Sequence, residues 1–188
     1  MNEPERTAPP EADIAATPNG RRPAGEGWFV LNAREAVWRA EPGWGRSVHF
    51  EPTEPRFAQF GINVHVLEPG EPNCRYHAED LQEDFLVISG ECVLIVEGEE
   101  RRLRAWDFVH CPPWTRHVFV GVGEGPCVIV MVGARDPNEQ LEYPVDEVAL
   151  RHGAGVERAT NSAEEAYADL SPPVEAPYEP GTLPDCDY

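Results

Sequence analysis

The sequence predicts an all-β fold, an antiparallel sandwich or barrel, and three observations lead there. Between residues 57 and 134, short apolar runs are broken by Ser-Gly, Glu-Gly-Glu, Cys-Pro-Pro-Trp and Gly-Glu-Gly-Pro. The breaks recur at intervals of about 8–12 residues, the spacing of short strands joined by turns. The chain holds 20 prolines and 16 glycines, which favour turns and strands over long helices. Only two segments carry helix signals, and both follow the strand-rich region.

Taken in order, residues 1–26 are rich in Pro, Ala, Glu and Gly. They offer too little apolar area to offset ordering entropy, so a disordered arm is expected. "WFVLNAREAVWRAEPGWGRSVHF" (28–50) is apolar enough to cover an open sheet edge, within the chain or across a twofold interface. A homodimer is expected on that ground. "FAQFGINVHVLEPG" reads as a strand ending in a Pro-Gly turn. Ser89-Gly90 and Glu97-Gly98 read as hairpin turns, because glycine adopts positive φ without a steric penalty. "PVDEVALRHG" (144–153) has proline at its start and glycine at its end. "NSAEEAYADL" (161–170) has a Ser or Asn cap before Glu. Both short helices are expected on the outside of the sheet. Residues 171–188 read as a Pro- and acid-rich disordered tail, from which Tyr178 and Leu183 are suited to docking. The expected organisation is an arm (1–26), a β domain (27–137), a helical extension (138–170) and the tail (171–188).

The formal net charge is -19, which repels a phosphate backbone and anionic membrane surfaces and so argues against both partners. All fifteen basic residues are arginine. Lysine Schiff-base chemistry and a P-loop lysine are thereby excluded. The five cysteines (74, 92, 111, 127 and 186) are scattered and form no CxxC pair. That argues against a zinc ribbon and a disulfide framework. No signal peptide or stretch of membrane-spanning length is read in the sequence, and a cytoplasmic location is expected.

"CRYHAEDLQEDFLVISGE" (74–91) concentrates one histidine and five carboxylates ahead of an apolar run. His77, Glu79 and Glu83 share parity and face one way if the chain is extended. His117 opens a later strand, and antiparallel topology can bring such strand starts together. Two imidazoles with one or two carboxylates suit a divalent transition metal (Fe, Mn, Ni or Zn), and a set of three leaves positions open. Glu79 has three readings: a fourth ligand, a base acting on a bound molecule, or a solvated carboxylate.

At these residues the chain resembles the cupin superfamily. Gly70, His77-Ala78-Glu79, Glu83 and Gly90 follow the first cupin motif, and Pro112 and His117 within "WDFVHCPPWTRHVFVG" follow the second. The resemblance covers about residues 58–134. It implies a double-stranded β-helix, a jelly-roll barrel, with a metal in its mouth. Glu79 stands where most metal-binding members have a second histidine; Trp106 and Trp114 replace glycines, and Gly121 replaces a common asparagine. The order His77, Glu83, His117 is similar to that in 3-hydroxyanthranilate dioxygenase-like members. The C-terminal cysteine-pair iron site of some of those enzymes has no counterpart here.

Arg75 and Arg116 adjoin proposed ligands. A substrate carboxylate is one reading for them, and a surface ion pair in an acidic protein is the other. His65, on one strand face with Asn63, either lines the pocket or is structural. His110 reads as exposed, and Cys111 and Cys127 as small core residues. Trp106, Trp114 and Phe119 read as packing residues, with Trp114 also placed to narrow the pocket mouth. The functional expectation is a metal-binding cupin with a small-molecule ligand, a dioxygenase or isomerase acting on a small organic acid or aromatic. The alternative is a non-catalytic ligand-binding or sensor cupin. The fold hosts many reactions and does not choose between them.

Overall fold

The alternating pattern of the sequence is realised as fourteen strands and two short helices in residues 8–185, the residues described by the computed structural model. In chain order they are β1 (Asp13–Thr17), β2 (Gly20–Ala24), β3 (Trp38–Ala40), β4 (Arg46–His49), β5 (Phe60–Leu67), β6 (Ala78–Glu79), β7 (Glu83–Ser89) and β8 (Glu91–Val96). There follow β9 (Glu99–Arg104), β10 (Phe108–Cys111), β11 (His117–Val122), β12 (Cys127–Ala134), β13 (Leu141–Glu142), α1 (Glu147–Arg151), α2 (Ala163–Ala166) and β14 (Val174–Ala176). Seven strands form one sheet in the order β10-β7-β12-β5-β4-β3-β14, and three form a second in the order β11-β8-β9. Two further pairs, β1-β2 and β13-β6, stand apart.

No sheet closes on itself among the described residues. The expected all-β jelly-roll barrel is therefore corrected to a mixed α/β fold of open antiparallel sheets with two short helices. The corners explain the opening. Between β7 and β8 the chain passes from the large sheet to the small one at Gly90, whose φ is +75°. A Cβ there would lie 2.3 Å from the Pro126 carbonyl oxygen. Trp106, with φ +75°, carries the chain back between β9 and β10. Pro112-Pro113 and Trp114, with φ +67°, carry it out again before β11. Prolines lack the ladder donor, and left-handed residues break the strand. Each crossing thus ends a ladder instead of continuing it round a corner. Ser89-Gly90 accordingly joins two sheets and is not a hairpin. Glu97-Gly98 is one: both loop residues have positive φ, as the two-residue turn joining twisted strands demands.

The core lies between the two sheets. Phe85 and Val87 of β7, Ile129 and Met131 of β12 and Leu67 of β5 meet Cys92 and Leu94 of β8 and Phe119 of β11. Cys111 and Cys127 are in this core, as expected. Each fully buried aliphatic or aromatic side chain contributes about 1.5–3 kcal/mol. On the outer face of the small sheet, Ala149 of α1 packs with Ile95, Val118 and Val120. Asp146 caps α1 by accepting from the Ala149 N–H, and Ser162 caps α2 by accepting from Glu165.

Both expected disordered ends are corrected where they are described. Residues 13–24 form the β1-β2 hairpin, whose Arg21 N–H donates to the Glu35 carbonyl and whose Arg21 carbonyl accepts from Val37. The Pro18-Asn19-Gly20 turn signal outweighed the polar composition. In the tail, β14 pairs with β3, Tyr178 packs on Trp38 at 5.9 Å, and Leu183 joins the same cluster. Residues 1–7 of the arm and 186–188 of the tail, with Cys186, lie outside the described residues. The segment expected to cover an edge supplies β3 and β4, which extend the chain's own large sheet beyond β5, with Trp38 and Val48 buried in one cluster. Among the described residues no helix is long and apolar enough to cross a membrane.

Candidate metal centre

His77 and His117 face each other across an antiparallel bridge. The His77 N–H donates to the His117 carbonyl at 3.2 Å, and the His117 N–H returns to His77 at 2.9 Å. This pairing sets the two imidazoles 5.1 Å apart, centroid to centroid. Each ring is fixed from behind by its own loop. His77 Nδ1 lies 2.9 Å from the Arg75 carbonyl, and His117 Nδ1 lies 2.9 Å from the Thr115 carbonyl. A carbonyl only accepts, so both Nδ1 atoms carry the proton and both Nε2 atoms present lone pairs.

Glu83 completes the set. Its Oε2 is 3.2 Å from His117 Nε2. One ligand atom each from His77, Glu83 and His117 lies within 4.8 Å of the others. Glu83 opens β7 and pairs across the sheet with Gly133. Glu79 Oε1 lies 3.4 Å from His77 Nε2. The convergence does not come from shared parity on one strand. Glu79 ends β6, and the loop 80–82 turns the chain before Glu83 begins β7.

The electrostatics of the cluster favour a bound cation. Burial pushes Glu83 up to about 8, and the charges of Glu79 and Glu139 add to the rise. Burial raises Glu79 as well. Glu139 is pushed up to about 7 by burial and by its hydrogen bond with Glu79. Burial lowers His77, and it lowers His117 to about 3 with help from His77. Three acids that resist ionising, beside two imidazoles that resist protonation, are relieved together by one divalent ion. The buried His-His-Glu triad is able to coordinate such an ion, and two nitrogens with carboxylate oxygen suit Fe, Mn, Ni or Zn.

The triad lines a cavity of about 280 Å³, together with Asn63, His65, Asn73, Phe85, Met131 and Glu139. Phe85 and Tyr143 pack against the two imidazoles, at 5.1 Å from His117 and 5.8 Å from His77. Cys74 Sγ is 3.6 Å from His77 Nδ1, but burial raises its pKa and keeps it a thiol.

The ion-pair reading holds for both arginines, and the packing reading fails for two tryptophans. Arg75 donates through Nη2 to both oxygens of Asp169 and through Nη1 to the Gly155 carbonyl, so its guanidinium is engaged away from the triad. Arg116 pairs with Glu142. Trp106 and Trp114 are 74% and 47% exposed, so neither packs in the core. Trp114 acts through its backbone, donating to the Glu79 carbonyl. His110 is exposed and paired with Asp84, while Phe119 is fully buried. His65 lines the cavity wall as a buried neutral imidazole, lowered to about 3 by burial and by His49. Sequence reasoning missed Glu139. It arrives on a loop held by Asp80, whose N–H donates to the Gln140 carbonyl and whose carboxylate accepts from the Gln140 N–H. No local motif marks it.

Residues 63–133 match the family profile described as "Cupin domain". Among solved structures, the polyketide cyclase RemF of Streptomyces resistomycificus aligns with TM-score 0.52 and 15% identity over 76% of this chain and 94% of that one. An RmlC-like cupin of Shewanella frigidimarina aligns with TM-score 0.50 and 15% identity over 60% and 95%. A structure described as a putative sugar phosphate isomerase, from Acidithiobacillus ferrooxidans, gives TM-score 0.48 and 26% identity over 55% and 67%. No curated protein matches the chain.

Proposed function

Because the chain carries a cupin domain over residues 63–133, we propose that it is a metal-dependent cupin enzyme acting on a small organic acid or aromatic compound, by dioxygenation or isomerisation. One observation carries the reading. Backbone carbonyls hold both Nδ1–H groups, so that two Nε2 atoms and the Glu83 carboxylate converge in one cavity. His77, Glu83 and His117 would hold the ion, which supplies Lewis acidity and open positions for substrate oxygens.

The chain's own groups then divide the remaining work. Phe85, Met131 and Tyr143 exclude water and fix the imidazole planes. Glu79 lies within reach of His77 and shares a proton with Glu139. The two carboxyls hold about one proton between them near neutrality, so the pair takes a further proton from a bound ligand through Glu79 Oε. Glu139 is the adjoining group through which the proton leaves.

The test is metal content by mass spectrometry on untagged protein, beside a His77→Ala, His117→Ala double variant. About one transition metal ion per chain, absent from the variant, supports the reading, and O2 consumption with candidate acids then separates dioxygenation from isomerisation. No metal after anaerobic reconstitution with ferrous iron overturns it. A loaded protein that binds acids without turning them over marks a ligand-binding cupin instead.

A further inference from the structure

Residues opposite one another in an antiparallel ladder share a face. On the face of the large sheet that meets the triad, Phe85 pairs with Met131, Met131 with Asn63, and Asn63 with His49. The next row runs Val87, Ile129, His65, Ser47 and Arg39. The apolar half of both rows belongs to the core, and the polar half begins at β5. The triad cavity therefore does not end at its apolar wall. A second cavity of about 570 Å³ is lined by Arg39, Ser47, His49, His65, Asn73 and Tyr167. His65 and Asn73 line both.

Two features of this wall are unexplained by folding. The Oδ1 of Asn63 and the Nδ1 of His65 are buried without a hydrogen-bond partner, although an unmet buried polar atom costs about 1–3 kcal/mol. Arg39 is half-buried yet makes no ion pair among the described residues, while Arg22, Arg46, Arg75 and Arg135 each hold a carboxylate. In a chain of net charge -19, an unpaired arginine in a cavity is a local exception to the surrounding field. No nearby carboxylate pairs with it among the described residues. Glu175, opposite Arg39 on β14, is held by Arg22, Glu41 lies in the field of Arg75, and Glu164 is exposed on α2.

We propose that the two cavities form one ligand site, in which Asn63 and His65 hydrogen-bond the body of an elongated acid and Arg39 holds its remote anionic group, a carboxylate or phosphate. The reacting end alone rests on the metal reading above. Four interstrand steps separate β7 from β3, so reacting end and anion lie roughly 15–20 Å apart at about 4.8 Å per step. A guanidinium grips carboxylate and phosphate alike through paired N–H donors.

The test is calorimetric binding to the protein as purified and after metal stripping. The probes are α,ω-dicarboxylates from succinate to dodecanedioate, plain and bearing mid-chain hydroxyl groups able to meet Asn63 and His65, the matching monocarboxylates, and ω-phosphonocarboxylates of the same lengths. Long dianions are expected to bind about tenfold more tightly than monocarboxylates, and Arg39→Gln to abolish that gain. Metal content and monocarboxylate affinity stay unchanged in that variant. The tighter of the two dianion series assigns the group as carboxylate or phosphate. Arg39→Lys, which keeps charge but loses the fork, is expected to retain part of the gain, and serves if Arg39→Gln does not fold. Equal affinity for mono- and dianions, or an equal loss in the exposed control Arg56→Gln, overturns the proposal. A protein that takes up no metal yet keeps the Arg39-dependent preference overturns the metal reading and leaves this one standing.

Discussion

Nε2 of His117 lies 3.2 Å from Oε2 of Glu83, and neither group favours its charged form at neutral pH. Glu83 is pushed up to about 8 and His117 down to about 3, chiefly by burial in both cases. The metal-free pair is a protonated acid donating to a neutral imidazole. A metal ion held by the triad would replace that proton.

Metal uptake at pH 7 is therefore expected to release at least one proton per chain, from Glu83, with the Glu79-Glu139 pair adding to it. Calorimetry in buffers of different ionisation enthalpy measures it directly. An uptake with no proton release contradicts the assignment.

The same shifts set the pH dependence of the metal-free protein. An unfolded glutamate titrates near 4.3, so the folded state binds the extra proton between about 4.3 and 8, and stability falls as pH rises through that window. His117 works in the opposite direction. Unfolded histidine gains a proton below about 6.5 that the folded ring refuses, so stability falls as pH drops from there towards 3. Thermal melting of stripped protein is expected to peak between about 4.3 and 6.5, and bound metal is expected to remove the loss on the alkaline side.

Glu83→Gln keeps the shape of the side chain and removes its charge. Metal affinity is expected to fall by more than the ~10–100-fold that loss of a second-shell partner costs. Glu79→Gln is expected to leave metal content near wild type and to slow turnover. Competition with a chromogenic chelator reads the first and steady-state rates the second.

Trp106 holds a left-handed backbone with φ +75° while its side chain is 74% exposed. Such a conformation costs a non-glycine residue about 1–2 kcal/mol, and an exposed ring recovers little of it. Trp106→Gly is expected to raise stability by about 0.5–1 kcal/mol, net of glycine's greater freedom in the unfolded chain. Denaturant midpoints decide it, and a lower midpoint would show that the ring makes a stabilising contact.

Removing residues 174–188 takes away β14, Tyr178 and Leu183. Uncovering Trp38 is expected to cost about 3 kcal/mol, from two lost apolar side chains, and to shift tryptophan emission to the red. An unchanged midpoint would mean that the tail is a passenger.

The sequence by itself determined the strand-rich domain, the two helix caps and the identities of His77, Glu83 and His117. Each is written in local chemistry: alternation, a capping side chain before a short helix, and ligand types ahead of a strand. Even the N-terminal hairpin had its local signal in Pro18-Asn19-Gly20, which composition obscured. Only the tertiary structure decided the rest. Whether sheets close depends on ladders between distant strands, and those end at Gly90, Trp106 and Pro112-Pro113. Glu139 reaches Glu79 through a loop pinned by Asp80, and Arg39 reaches the ligand wall through the β3-β4-β5 register. These partners are far apart along the chain, and no period or motif records a contact that exists only after the sheets have paired.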